Sequence, residues 1–162
     1  MDPGLCRESL ATLLSQEVVL LNQLGGLLEH EYLLLVANDV ESLEKAMQDR
    51  QVVVGQLLQI EEERRSMCRA HGKSSDVAGL KELLAWCDPA AMLRSAMHES
   101  AQGAVRCRTL NDKNGALVIA RMRRVEGLLG AITGQRPEAP STYGPKGHFA
   151  PPRSGNVVTT EA

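Results

Sequence analysis

Leucine pairs at 13–14, 20–21, 27–28 and 34–35 recur every seven residues through LLSQEVVLLNQLGGLLEHEYLLL. A seven-residue apolar repeat puts its side chains on one face of an α-helix, whereas a strand would alternate with period two. The two leucines of each pair occupy adjacent heptad positions. The apolar face is therefore wider than a two-helix seam and can meet two neighbours at once, which places this helix in the middle of a core. The pattern begins at Asp2-Pro3, where Asp suits an N-cap and Pro the first helical turn. It runs to Val36 and is interrupted at Asn38-Asp39: Asn tolerates the left-handed backbone that ends a helix, and Asp39 can cap the next one. The first helix should span about 35 residues, roughly 50 Å at 1.5 Å per residue.

The second helix starts near Val40. Val40, Leu43, Met47, Val54, Leu57 and Met67 lie close to one stripe, and Ala46, Val53 and Ile60 widen it. Glu41–Lys45 and Glu61–Arg65 are spaced as i,i+4 pairs with the acid first, the better orientation. His71-Gly72 should end this helix, Lys73 to Asp76 should turn, and a short helix should cover Val77 to Cys87. Asp88-Pro89 repeats the device that opens the chain and predicts the start of a third long helix. Its seam reads Leu93, Met97, Ala104, Asn111, Val118, Met122, Val125, Leu129 and Ile132. With no Pro before Pro137, it could run about 45 residues, or roughly 70 Å. A straight helix of that length outruns its neighbours and leaves the stripe from Met122 to Ile132 to dimerise, bind a client or fray. A bend at Asn114-Gly115, folding the end back, is the alternative.

After Gln135 the pattern stops. Residues 136–162 hold five of the seven prolines and no helical period, the signature of a flexible tail. The expected fold class is all-α: an antiparallel bundle or extended hairpin of three long helices plus one short helix over residues 1–135, followed by the tail. Composition agrees, since aromatics make up only 2% of the chain while 43% is apolar, as in leucine-filled helical cores. A formal net charge of −2 gives no broad field for nucleic acid. Glu17, Glu29, His30 and Glu31 interrupt the leucine stretch, so it predicts no membrane span. No basic segment followed by an apolar run marks a leader, and a cytoplasmic location is expected. Cys6, Cys68, Cys87 and Cys107 are widely spaced, and in a reducing compartment they should remain free thiols packed as small apolar residues.

Candidate chemistry is sparse. Cys68-x-x-His71 places two metal-capable groups one turn apart, but zinc needs three or four ligands, and a helix end is the simpler reading. His30 and His98 read as surface or satisfied polar groups, and Glu29-His30-Glu31 and Glu61-Glu62-Glu63 as solvated faces. Trp86 should anchor the short helix. No phosphate loop, serine elbow or H-E-x-x-H is present, so neither a cofactor nor enzymatic activity is expected. LNDKNGALV is the oddest stretch of the last helix, because Asn111 and Asn114 share a face with its apolar seam. A polar layer that fixes register or receives a partner's backbone, and a simple turn at Asn-Gly, both fit these residue types. Tyr143-Gly144-Pro145-Lys146-Gly147, with Phe149, sets aromatic anchors in the Pro- and Gly-rich tail, as a docking segment would.

Taken together, the leucine-rich first helix, N-D-K-N-G-A-L-V in the third long helix and Y-G-P-K-G in the tail resemble the FlgN-type flagellar export chaperones. The resemblance implies a protein that binds hook–filament junction proteins in the cytosol. It would hold their C-terminal helix-forming segment, prevent premature assembly and deliver them to the flagellar type III export gate. Asn111, Asn114, Val118, Met122, Val125, Leu129 and Ile132 are then the candidate client-binding residues. Tyr143 and Gly144 are candidates for docking to the export gate or the client. A generic helical scaffold or homodimerising coiled coil, without a client, is the rival expectation; an enzyme or metal protein built on a helical bundle is a second.

Overall fold

The structure is a computed structural model that describes residues 2–134. Among these residues lie four α-helices and no strand: α1 (Pro3–Ala37), α2 (Val40–Ala70), α3 (Val77–Cys87) and α4 (Arg94–Thr133). The all-α expectation holds, with three long helices and one short one. The tail expected from residue 136, with Tyr143 and Gly144, lies outside the described residues.

The helix ends follow local chemistry. Asn38 ends α1 with φ of 60°. The Asp39 carboxylate accepts from the Ser42 N–H at 3.1 Å and opens α2. Gly72, at φ of 66°, follows α2, and the Asp76 carboxylate accepts from the Gly79 N–H at 2.9 Å to open α3. Asp2 differs from expectation: its carboxylate makes no cap bond, and its carbonyl accepts from the Cys6 N–H instead.

The start of α4 is also corrected, from Asp88-Pro89 to Arg94. Residues 88–93 turn first, with the Ala91 N–H bonded to the Asp88 carbonyl and Ala91 at φ of 55°. The buried Asp88 carboxylate then accepts from the N–H groups of Met92 and Leu93 at 2.9 and 2.8 Å. Asp88 thus organises the approach to a helix that begins one and a half turns later. That helix is 40 residues long and continuous through Asn114-Gly115, so the chain makes no turn at Asn-Gly.

Two compact units are distinguished, residues 1–118 and residues from Ile119 onward. In the first, α1 is central. Cys6, Leu10 and Leu14 pack with Cys68 of α2, Leu83 and Cys87 of α3, and Leu93; further along, Leu21 and Leu28 pack with Cys107 of α4 and with Leu57. Arg64 pairs with Glu17 and Arg50 with Glu31, so α2 runs antiparallel to α1. Ser100 bonds Glu17, Cys107 bonds the Leu21 carbonyl and Asn114 bonds the Leu28 carbonyl, so α4 runs parallel to α1.

Two stripes are rotated from those expected. On α2, Ala46, Val53 and Ile60 are buried, while Val40, Met47 and Val54 are exposed. On α4, Ser100, Cys107 and Asn114 are buried at strict heptad spacing, while Ala104, Asn111 and Val118 are exposed. The reason lies in size. A Cβ at Gly103 would sit 3.1 Å from the Leu21 Cβ, so α4 approaches α1 on its small residues. Reading the seam from its bulky residues misses this by one position.

The second unit, as far as described, comprises the last turns of α4 to Thr133, followed by Gly134 at φ of 68°. Among the described residues no helix is long and apolar enough to cross a membrane.

Candidate functional site

Two polar layers cross the bundle of the first unit. In one, Arg64 of α2 donates to both oxygens of Glu17 at 3.1 Å and to Glu61, and Ser100 of α4 donates to Glu17 at 2.8 Å. In the other, Arg50 of α2 lies with its Nε 3.0 Å from Glu31 Oε1, and its Nη1 donates to Asn111 Oδ1 at 3.3 Å. Asn114 of α4 completes that layer by donating to the Leu28 carbonyl at 2.9 Å. Each layer takes an acid from α1, an arginine from α2 and a neutral polar residue from α4. On every helix the two layers are two heptads apart, about 21 Å along the axis.

This corrects the reading of Glu29-His30-Glu31 as a solvated face at Glu31 alone, since Glu29 and His30 are exposed. Glu31 is only 4% exposed. Burial raises its pKa above the ordinary value, with Arg50 and Asn114 pulling the other way. The Arg50 contact is charge to charge: Glu31 Oε1 and Asn114 Oδ1 are both buried without a hydrogen-bond partner. The Glu61 run is likewise only partly solvated. Burial pushes the Glu61 carboxyl up, but bonds from Arg64 and Arg65 outweigh it, and its pKa falls below the usual range. Glu17 and Glu31 could have been found from spacing alone, since each falls on the heptad position that Leu10 and Leu24 also occupy.

The metal reading of Cys68-x-x-His71 meets a packed helix end. Cys68 is buried beside Cys6 and Cys87, and burial raises its pKa. Burial and the Cys87 thiol push the Cys6 thiol up to about 11. The His71 N–H bonds to the Met67 and Cys68 carbonyls, and its ring lies 4.8 Å from that of Trp86, which fixes α3 against the end of α2. Among the described residues no group of three or more His, Cys, Asp and Glu is placed to hold a metal ion.

The candidate client-binding residues fall into two sets. Asn111 and Asn114 are engaged within the fold, Asn111 by Arg50 and Asn114 by Leu28. Val118, Met122, Val125, Leu129 and Ile132 are exposed, from 38% at Val118 to 81% at Ile132. Their spacing of four, three, four and three residues aligns them on one face of α4. Ile119 and Leu128, outside the expected set, are 52% and 57% exposed and widen the apolar surface. An exposed row of large aliphatic side chains is a surface that water solvates poorly, and it can be covered by an amphipathic helix.

No curated protein and no solved structure matches the chain. A family model described as FlgN protein matches residues 1–150. With most of the chain inside that match, and four helices where the resemblance leads one to expect an all-α bundle, the protein belongs to the FlgN family of flagellar export chaperones.

Proposed function

We propose that this protein is a cytoplasmic chaperone that holds the C-terminal helical segment of a hook–filament junction protein before export. The observation that carries this reading is the exposed aliphatic row from Val118 to Ile132 on a continuous helix. It is 14 residues long by sequence number, about 21 Å, enough to accommodate some four turns of a partner helix. Laying the partner's apolar face on this row removes both surfaces from water. The partner's self-assembling face is then unavailable, and premature polymerisation is suppressed for as long as the complex lasts.

In this reading residues 1–135 form the helical body and residues 136–162 a tail, in which Tyr143 and Gly144 dock to the export gate or the client. The chaperone contributes no bond-making chemistry and needs no cofactor. Asn111 and Asn114 support the row indirectly, by setting the rotation of α4 on α1 and α2.

The test is titration calorimetry of the full chain against the C-terminal segment of a hook–filament junction protein, beside a chain ending at Gln135. Tight binding that is lost in Met122→Asp/Val125→Asp/Leu129→Asp, with helix content by circular dichroism retained, supports the reading. Retained binding by the truncated chain leaves the tail for the export gate. A stable dimer by light scattering, with no binding of client, would instead assign the row to a second copy of the chain.

A further inference from the structure

The leucine pairs of α1 are not used evenly. Leu14, Leu21, Leu28 and Leu35 are buried, and Leu21 and Leu28 pack with Leu57 of α2 and Cys107 of α4. Leu20, Leu27 and Leu34 are only half-buried. Gln16 and Leu20 line a groove against Gln56, Gln59 and Glu63 of α2. Helical spacing continues the α1 side of that groove through Leu27 and Leu34. It continues the α2 side through Val52 to Lys45, which precedes Glu63 by eighteen residues, or five full turns. The middle of this face is neutral: residues 18–28 of α1 and 51–60 of α2 contain no Asp, Glu, Lys or Arg. Lys45 and Asp49 stand toward one end and Glu63 toward the other, all exposed.

Two patterns on this face are symmetric about one level. Along α1, Leu20 and Leu34 lie seven residues either side of Leu27; along α2, Lys45 and Glu63 lie nine residues either side of Val54. The ion pairs Glu17–Arg64 and Glu31–Arg50 set the register between the helices. Ten residues on from Glu17 is Leu27, and ten back from Arg64 is Val54, so both centres fall at the same height. We infer that a second copy of this chain docks antiparallel on the α1–α2 face, about a two-fold axis at that height. Such an axis brings Leu27 onto Leu27, Leu20 onto Leu34, and Lys45 onto Glu63 twice over, while Asp49 meets the neutral Gln59. A parallel copy would bring like ends together and forfeit these pairings. Glu63 accepts from Gln59 at 3.1 Å, and among the described residues neither it nor Lys45 is held in an ion pair. The face is about 27 Å long and about 20 Å wide, so the two copies bury roughly 1,100 Å² together, near the lower bound for a specific interface. A contact of that size makes a weak dimer, with a Kd roughly in the micromolar range. It uses none of the aliphatic residues proposed for the client.

Sedimentation equilibrium of the full chain, from about 1 µM to about 1 mM at low salt, tests this. The unmodified chain should pass from monomer to dimer across that range. Lys45→Glu and Glu63→Lys each turn two attractive contacts into repulsive ones, and each should weaken the dimer roughly tenfold. The double reversal Lys45→Glu/Glu63→Lys restores opposite charges across the axis and should return the Kd to within about threefold of the parent. All these positions are exposed, and circular dichroism should show unchanged helix content. Met122→Asp/Val125→Asp/Leu129→Asp should dimerise like the parent, which separates this face from the client surface. A chain that stays monomeric throughout would overturn the inference, as would single reversals without effect or a double reversal that fails to restore the dimer. A dimer abolished by the triple Asp variant would overturn it too, by assigning the contact to the row on α4.

Discussion

Removing Arg64 should reveal how much of the fold depends on a charge inside the bundle. Its guanidinium spans both oxygens of Glu17, and the two side chains are 19% and 15% exposed. In Arg64→Met the aliphatic packing is kept, but the Glu17 carboxylate retains only the Ser100 hydroxyl as a donor. Breaking a buried pair by deleting one partner costs about 3–5 kcal/mol, because the other charge is left uncompensated. The remaining bond from Ser100 and the residual exposure of Glu17 favour the lower end, about 3 kcal/mol. In Glu17→Leu/Arg64→Met both charges are gone, and stability should return to within about 1 kcal/mol of the unmodified chain, or exceed it. Urea unfolding followed at 222 nm at neutral pH measures all three variants against the parent, with unchanged m-values confirming comparable transitions. A cost below about 1 kcal/mol for Arg64→Met would refute the reasoning, since it would place the pair with ordinary surface ion pairs. So would a double variant no more stable than the single one.

Glu31→Gln tests the second layer through pH. Burial holds the Glu31 pKa above its ordinary value of 4.5, so the folded chain retains this proton to higher pH than the unfolded chain. Its stabilising share is full below about 4.5 and is lost as pH rises through the folded-state value. Melts across that window should show the parent losing stability relative to Glu31→Gln as pH rises, and a flat or opposite trend would contradict the burial argument. Gly103→Ala should destabilise by about 1 kcal/mol, since overpacking against the Leu21 Cβ at 3.1 Å outweighs the gain in helix propensity. Gly115→Ala, with nothing within 4 Å, should stabilise by up to about 1 kcal/mol; thermal melts of the pair decide both. All four cysteines are buried free thiols, so they should react with an aromatic disulfide reagent only slowly until urea exposes them. Rapid reaction of Cys6, whose pKa is pushed up to about 11, would show that α1 and α3 open readily.

Helix positions were legible in the sequence because their ends are local. Asn38-Asp39, His71-Gly72 and Asp76 act on backbone within a few residues, and each marks a boundary in the structure. The start of α4 was not legible. Asp88 acts there through both oxygens on Met92 and Leu93, after a turn that Pro89 and Ala91 shape first. The faces of α2 and α4 were misjudged for a different reason. A hydrophobic stripe weighs side chains by size, whereas helix approach is limited by the smallest residues at the crossing. Ala46 on α2 and Ser100, Gly103 and Cys107 on α4 contribute little to an apolar pattern, and they are what lets the helices come close. Glu31 was misread for a related reason, since it looks solvated until Arg50, distant in sequence, is brought to it.

The rotation of α4 bears on the candidate site. Counting heptads onward from Ser100, Cys107 and Asn114 leads to Arg121 and Leu128, not to Met122 and Leu129. The aliphatic row is therefore one residue out of phase with the seam that packs on α1. Had the row been the same seam prolonged, its exposure would be explained as surplus core pattern on a helix longer than its neighbours. A shift of one residue in the heptad count sets the row apart from that seam in the sequence pattern. The sequence pattern thus changes purpose along one uninterrupted helix. Small and polar residues up to Asn114 fix how α4 sits in the bundle, and large aliphatic residues beyond it make an apolar surface that the bundle seam does not use. That division is what a helix serving both a fold and a partner requires. It is also why substitutions at Met122, Val125 and Leu129 should leave the fold intact while those at Cys107 or Gly103 should not.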